Sequence, residues 1–254
     1  MKFDQFDAKM RVFETAQDLC VPPEMYMVAR IDGRGFTRLT KEQHPFDVPY
    51  DAKFRDLMVA TTEHLMQCGF KVVYAYTQSD EISLLFVRDE ELFGRKLRKY
   101  NSVLAGEASA KFSVMLGDLA CFDCRISQLP NRDRVVDYFR WRNEDAARNC
   151  LNGYCYWTLR KDGQDAKQAT SRLSGMPVAA KHELLFGFGI NFNGLPNWQK
   201  RGVGLYWEEY EKESRNPITG DRVTALRRRI KRDLDLPMKQ AYGRFVESLL
   251  ERHA

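Results

Sequence analysis

Three carboxylates stand at two places where acidic chemistry is readily built. Asp32 follows the apolar run Met25–Ile31 and opens the loop Asp32-Gly33-Arg34-Gly35-Phe36-Thr37. Asp80 and Glu81 follow Thr77-Gln78-Ser79 and lead into a second apolar run, Ile82–Val87. Convergent carboxylates with no His or Cys beside them suit a hard cation, Mg²⁺ rather than Zn²⁺. Mg²⁺ binds through one or two carboxylates and keeps its other positions for water and substrate phosphates. Two such ions serve an in-line phosphoryl or nucleotidyl displacement. Gly33 and Gly35 let backbone N–H groups turn toward an anion. The loop matches neither a Walker loop nor a dinucleotide fingerprint, and taken alone it reads as an ordinary turn. Paired with Gln78-Ser79-Asp80-Glu81, phosphate chemistry becomes the better reading.

Positioning these groups takes a sheet. Residues 25–31 read as a strand that stops at the Asp32 loop. Residues 51–68 read as a helix, with Phe54, Leu57, Met58, Thr61 and Leu65 at helical spacing and Gly69 as its stop. Residues 71–76 and 82–87 read as two strands joined through a tight turn over 77–80. Residues 92–116 read as a long helix ended by Gly117, and 120–127 as a fourth strand. Strand, helix, strand, strand, helix, strand is the split βαβ order of a ferredoxin-like α+β unit. In that sheet the first and third strands are neighbours, which brings Asp32 close to Asp80. Successive strand side chains point to opposite faces, so Asp80 and Glu81 do not both hold one ion if the strand is regular there. Geometry alone does not choose between them.

From about residue 133 onward the chain reads as more helical, with 133–158, 164–174 and 222–250 as helix candidates. The predicted organisation is a catalytic region over 1–132 and a helical C-terminal region over 133–254, packed together as one unit. Length and composition agree: 254 residues, 44% hydrophobic and 30% charged, are globular rather than disordered. No stretch approaches the ~20 apolar residues of a membrane span, and the start lacks the apolar core of a secretion signal. A cytoplasmic protein with reduced thiols is the expectation. Cys121, Cys124, Cys150 and Cys155 offer a weak zinc spacing; small buried hydrophobes are the better reading of them. Forty Lys and Arg against 35 Asp and Glu give +5, which permits an anionic partner without demanding one. Arg227-Arg228-Arg229 with Lys231-Arg232 forms a basic run, read equally well as a solvated helix face or a nucleic-acid contact.

The two acidic segments, Ile31-Asp32-Gly33-Arg34-Gly35-Phe36 and Tyr76-Thr77-Gln78-Ser79-Asp80-Glu81-Ile82-Ser83, closely resemble the signature segments of the tRNA-histidine guanylyltransferase family. Phe122-Asp123-Cys124-Arg125 is similar to its FDxR strand, and 137–146 to its DYxxWRxxDA helix. Asn149-Cys150-Leu151-Asn152, Leu173-Ser174-Gly175 and 181–186 follow in order, so the resemblance covers roughly residues 4–210. It implies a palm like that of template-dependent polymerases and 3′-to-5′ nucleotide addition at a tRNA 5′ end. It also implies two Mg²⁺ ions, ATP and GTP or other nucleoside triphosphates as substrates, and a homotetramer, a dimer of dimers. By motif match the metal ligands would be Asp32, the Gly33 carbonyl and Asp80, with Glu81 a further residue important to activity. The nucleotide would lie on Asp32, Gly33, Arg34, Gly35, Phe36, Thr37, Ser79 and Asp80. Arg95 and Lys99, four apart and so on one face of the predicted helix, fall where the family places basic residues for triphosphates. With a polyanionic substrate, the local excess of Arg at Arg140, Arg142, Arg148, Arg227, Arg228 and Arg229 becomes the expected tRNA contact.

The chain departs from the family's eukaryotic pattern at one heptad. Where those members carry HINNLYN, this sequence has Ala147-Arg148-Asn149-Cys150-Leu151-Asn152-Gly153, and Val48 stands where a basic residue follows the first motif. These departures resemble the bacterial and archaeal branch, which is associated with template-dependent repair of 5′-truncated tRNA. They leave the carboxylates untouched. Two other classes fit a palm or a basic surface: a nucleotide cyclase or ordinary polymerase, and a non-catalytic RNA-binding module. A cyclase would turn over nucleotide without RNA; a binding module has no reason to keep Asp32, Asp80 and Glu81 together.

Overall fold

The computed structural model describes residues 1–215 and 222–252. After an N-terminal helix, α1 (Phe3–Thr15), strand β1 (Tyr26–Arg34) runs into a short turn of helix, α2 (Phe36–Arg38). Helix α3 (Ala52–Leu65) begins on Asp51, whose carboxylate accepts the Lys53 and Phe54 amides at 2.6 and 3.1 Å. That cap satisfies donors the first helical turn leaves unpaired. Strands β2 (Val72–Gln78) and β3 (Glu81–Phe86), helix α4 (Leu97–Leu116) and strand β4 (Cys121–Leu129) follow, and Gly117 ends α4 in the left-handed region. The first four strands lie in the order β4-β1-β3-β2, all antiparallel, the order that the split βαβ reading predicts.

Strand periodicity sorts the side chains between two cores. Met27, Ala29 and Ile31 of β1 pack with Ile82, Leu84 and Phe86 of β3 beneath α3 and α4, where the rings of Phe36, Phe112 and Phe122 meet at 4.8–5.6 Å. Val28, Arg30 and Asp32 point to the opposite face. That face is covered by α5 (Arg132–Lys161) and α9 (Lys239–Glu251), with Tyr74, Phe139, Tyr242 and Val246 as its core. The buried Tyr74 and Tyr242 hydroxyls satisfy each other at 2.9 Å.

Two sequence expectations are corrected here. Residues 92–116 are not one helix. Leu92–Arg95 form a separate turn in which Phe93, Gly94 and Arg95 all have positive φ, and α4 starts only at Leu97. Long-range contacts override the local pattern: the Arg95 guanidinium is drawn inside to donate to the carbonyls of Val21, Met25, Arg88 and Glu90 at 2.7–3.2 Å. Nor is 222–250 a helix throughout. Residues Arg222–Asp233 form strand β6, paired in full register with β5 (Val203–Arg215), and only the remainder yields α9. Long basic side chains suit a helix and an exposed strand alike; what decides is a partner strand that brings Glu208 to Arg229 at 2.7 Å. The C-terminal region is therefore not purely helical. Short helices α6 (Ala166–Leu173), α7 (Val178–Gly187) and α8 (Asn197–Arg201) lead into β5, which pairs with β2 and extends the sheet to β4-β1-β3-β2-β5-β6.

Candidate active site

Asp32 stands near the end of β1, opposite Glu81 in register. Between β2 and β3 the chain reverses through Ser79 and Asp80, with Ser79 at φ 52° and Gln78 paired to Glu81. The Gly33 amide donates to the Asp80 carbonyl at 3.0 Å, which ties the hairpin tip to the end of β1. The juxtaposition of Asp32 and Asp80 inferred from strand order is thus present, and it is held by the backbone.

Ion pairing separates Asp80 from Glu81. The Glu81 carboxylate takes Arg30 of β1 through one oxygen and Arg142 of α5, at 3.6 Å, through the other. Its charge is compensated, although burial still raises its pKa. Asp80 accepts the Ser79 hydroxyl at 3.0 Å and has no ion-pair partner among the described residues. Burial raises the Asp80 pKa first, and the neighbouring Asp32 charge adds to the rise. Asp32 itself has Arg125 at 3.6 Å, on an exposed side chain of β4. Two carboxylates with too little positive charge beside them are a donor set that a cation would complete. With the Gly33 carbonyl at the same strand end, these are hard oxygen donors, few enough to leave positions for water and phosphate. Among the described residues no group of three or more His, Cys, Asp or Glu side chains gathers around a point. The thiols proposed as an alternative lie apart, Cys124 against the α3/α4 core and Cys155 in a small cluster with Leu151 and Leu185.

The loop after Asp32 is shaped by close packing. A Cβ on Gly33 would lie 2.5–2.8 Å from the ring of Phe36, which is buried. Gly35, at φ 75°, then turns the chain into α2. Gly33→Ala is expected to displace Phe36, to cost about 1–3 kcal/mol of stability, and to lower activity by disturbing the Asp32 strand end. Thermal denaturation alongside an activity assay checks this; an unchanged midpoint would contradict the packing argument.

Beside Asp80 opens a cavity of about 240 Å³, lined by Phe36, Thr37, Tyr50, Ser79, Trp157 and Trp198 among others. Lys41 lies over Trp157 at 5.3 Å and Arg55 over Trp198 at 4.6 Å. Aromatic walls with cations at the rim suit a flat heterocycle carrying phosphates. Tyr50, Trp157 and Trp198 were not legible as site residues: they come from a loop, from α5 and from α8, and no spacing links them.

The basic residues scatter more than the sequence predicts. Within one chain, Arg95 and Lys99 are not brought to the carboxylates. Arg95 is buried against Met25, seven residues and roughly 23 Å along β1 from Asp32. Lys99 is half-buried on the first turn of α4, its ammonium 5.8 Å from the Phe93 ring. Arg142 is not an outward-facing RNA contact; it is 7% exposed and points at Glu81. Arg148 is exposed beside Asp145 at 2.5 Å, and Arg140 lies between Asp137 and Glu144. Arg227 and Arg229 share one face of β6, where Arg229 lies 4.9 Å from the Tyr210 ring, while Arg228 turns to the other face over Trp207.

Comparison with known proteins bears on this geometry. Residues 7–130 match the family model described as tRNAHis guanylyltransferase, and residues 133–241 match that of the Thg1 C terminal domain. The tRNA(His) guanylyltransferase of Schizosaccharomyces pombe is 36% identical over 208 residues, 75% of this chain and 79% of that one. A probable tRNA(His) guanylyltransferase of Homo sapiens is 31% identical over 239 residues, covering 87% and 79%. A bacterial tRNA(HIS) guanylyltransferase (Thg1)-like protein solved with GTP superposes with a TM-score of 0.73 at 30% identity, covering 97% of this chain and 99% of that one. The same kind of protein solved with ATP gives 0.74 at 29% identity, covering 96% and 99%. The paired segments around Asp32 and Asp80 and a match that runs through both regions of the chain lead to one conclusion: this protein belongs to the tRNA(His) guanylyltransferase family.

Proposed function

We propose that this nucleotidyltransferase adds nucleotides to the 5′ end of tRNA in the 3′-to-5′ direction, on a polymerase-like palm, with template-dependent 5′-end repair as its principal reaction. The observation that carries the reading is the Asp32–Asp80 pair, two neighbouring carboxylates with one ion-pair partner between them, Arg125 at 3.6 Å from Asp32, while Glu81 beside them is held by two arginines. Asp32, Asp80 and the Gly33 carbonyl would hold two Mg²⁺ ions. When bound, the ions lower the pKa of an attacking hydroxyl and neutralise the leaving phosphate. The rest falls to the chain. A 5′-monophosphorylated tRNA attacks the α-phosphorus of ATP and releases pyrophosphate, leaving an adenylylated 5′ end. The 3′-hydroxyl of the incoming triphosphate then attacks that 5′ phosphate and AMP departs. The aromatic cavity beside Asp80 would seat the base, with Lys41 and Arg55 at its rim, and the 33–37 amides and Ser79 would orient phosphates.

The assay that tests this uses 5′-labelled truncated and full-length tRNAs with ATP, each nucleoside triphosphate and Mg²⁺. Growth of the 5′ end supports the reading. Turnover of nucleotide without RNA would favour a cyclase, and RNA binding with no reaction would favour a binding module. A second copy of the chain, within the proposed homotetramer, would seat on α1, where Phe3, Phe6, Met10 and Phe13 are exposed. No helix among the described residues is long and apolar enough to cross a membrane.

The strand geometry refines the RNA-contact proposal for Arg140, Arg148 and the basic run. RNA affinity is expected to fall linearly in log salt. Arg227→Ala together with Arg229→Ala should flatten that slope by up to about two units, and Arg228→Ala alone by less, because it lies on the other face. An Arg228→Ala effect as large as the double variant's would contradict the assignment to one face, and no effect from either would return the run to a solvated surface.

A further inference from the structure

Arg142 sits on α5, in the C-terminal region, yet its guanidinium reaches the catalytic hairpin. It makes three contacts: Nη1 is 3.6 Å from a Glu81 oxygen, Nη2 is 3.8 Å from an Asp145 oxygen, and Cζ lies 3.5 Å over the Trp141 ring. Asp145 in turn accepts Arg148 at 2.5 Å and Asn149 at 3.2 Å. The contacts form a chain, Asn149 to Asp145 to Arg142 to Glu81, running from the divergent heptad to the residue next to Asp80. On its far side Glu81 is held by Arg30.

The arrangement is costly as packing. The Nε atoms of Arg30 and Arg142 are both buried without a partner, and an unmade hydrogen bond on a buried charged group is expensive. Well-packed apolar side chains would serve stability as well or better. What the two guanidinium groups do is fix the direction of one carboxylate. Glu81 follows Asp80 in the chain and faces Asp32 in register. With Arg142 gone, the Glu81 oxygen that Arg30 does not hold would be a third negative ligand atom within reach of a cation held by Asp32 and Asp80.

We propose that Arg142 is a positioning residue for nucleotidyl transfer: it keeps Glu81 turned toward α5 and so confines the cation set to Asp32, Asp80 and backbone oxygen. The proposal rests on the reading of Asp32 and Asp80 as cation ligands given above. It also gives Asn149 and Asp145 a role, as the brace that holds Arg142 in place.

The test uses the full chain with Mn²⁺ as the probe, free Mn²⁺ being followed by electron paramagnetic resonance. Arg142→Met should tighten Mn²⁺ binding by at least about fivefold, as Glu81 joins the set. The same variant should lower kcat for nucleotide addition by at least about tenfold, with KM for the triphosphate within about twofold of wild type. In a Glu81→Gln background, Arg142→Met should shift Mn²⁺ affinity by less than about twofold, because no carboxylate remains to be released. Arg142→Lys keeps the charge but not the fork, and should recover part of kcat. Equal tightening with and without Glu81 would mean bare loss of a positive charge and would overturn the proposal. Should Arg142→Met fail to fold, a wild-type kcat in Arg142→Lys would overturn it equally. Mn²⁺ binding that survives Asp80→Asn would instead strike at the cation reading itself, and the two failures are told apart by that control.

Discussion

Asp32→Asn and Asp80→Asn are each expected to abolish nucleotide addition, by about a thousandfold or more, while the protein stays folded. A thousandfold loss is about 4 kcal/mol of transition-state stabilisation. It is large because a neutral amide is a poor ligand for a hard cation, and no neighbouring side chain can substitute: Glu81 is committed to Arg30 and Arg142. Folding survives because these groups are a burden to the apo protein. Asp80 is half-buried, with the Ser79 hydroxyl as its side-chain partner and another carboxylate nearby, and its raised pKa marks the cost of keeping it ionised there. Removing that charge should leave the thermal midpoint unchanged or higher, as is common when a functional site is relieved of strain. The measurement pairs single-turnover addition to 5′-labelled tRNA with a melting curve. Turnover near wild type in either variant at saturating Mg²⁺ would refute the assignment.

The second large effect concerns which RNA is extended. A tRNA lacking its first 5′ nucleotide should be filled in, copying the opposite base, more efficiently than an intact tRNA-histidine receives an unpaired G. The heptad 147–153 lies along α5, with Arg148 and Asn149 exposed around Asp145 and Cys150 buried. Ala147 offers no imidazole to grip a 5′ phosphate or an activated end. Watson–Crick pairing can place the incoming 3′-hydroxyl without that grip; addition opposite nothing has no such substitute. The difference in kcat/KM should be roughly 1–3 kcal/mol, the scale of one lost positioning contact. Matched tRNAs with equal 5′ phosphorylation give the comparison, and Ala147→His should narrow the gap. Equal efficiency on both RNAs would show that the heptad does not set the choice.

How far the sequence was legible follows from what each reading depends on. The meeting of Asp32 and Asp80 was accessible because element order alone makes β1 and β3 neighbours, and period-two alternation fixes which side chains share a face. Strand geometry left Asp80 and Glu81 equal, and only the motif match favoured Asp80; what supports it in the fold is Arg30 and Arg142 on Glu81, and Arg142 arrives from α5, far along the chain. Arg95 was misplaced for a related reason: four carbonyls, those of Val21 and Met25 from a distant segment and those of Arg88 and Glu90 from just before it, pull it off the helix that local spacing predicts. The basic run over 227–232 reads as helix or strand with equal ease until β5 is known to lie beside it. Trp157 and Trp198 carry no local mark, since an aromatic cavity is created only when α5, α8 and the segment 37–51 converge.

The pairing of β5 with β2 has a consequence for how the protein comes off the ribosome. Tyr74–Thr77, the stretch leading to the Asp80 turn, takes its second neighbour from Val203–Tyr206, more than 120 residues later. Until that segment has been synthesised, Val72-Val73-Tyr74-Ala75-Tyr76 is an apolar edge with a row of unpaired amides and carbonyls, the kind of template that recruits other chains. Such a distant pairing is slow to close and leaves a nascent chain open to misassembly. A fragment ending after α5 would therefore carry both carboxylates and still be a poor enzyme, lost to aggregation rather than to missing chemistry. The last strands of the sheet act as the guard on the hairpin that does the work.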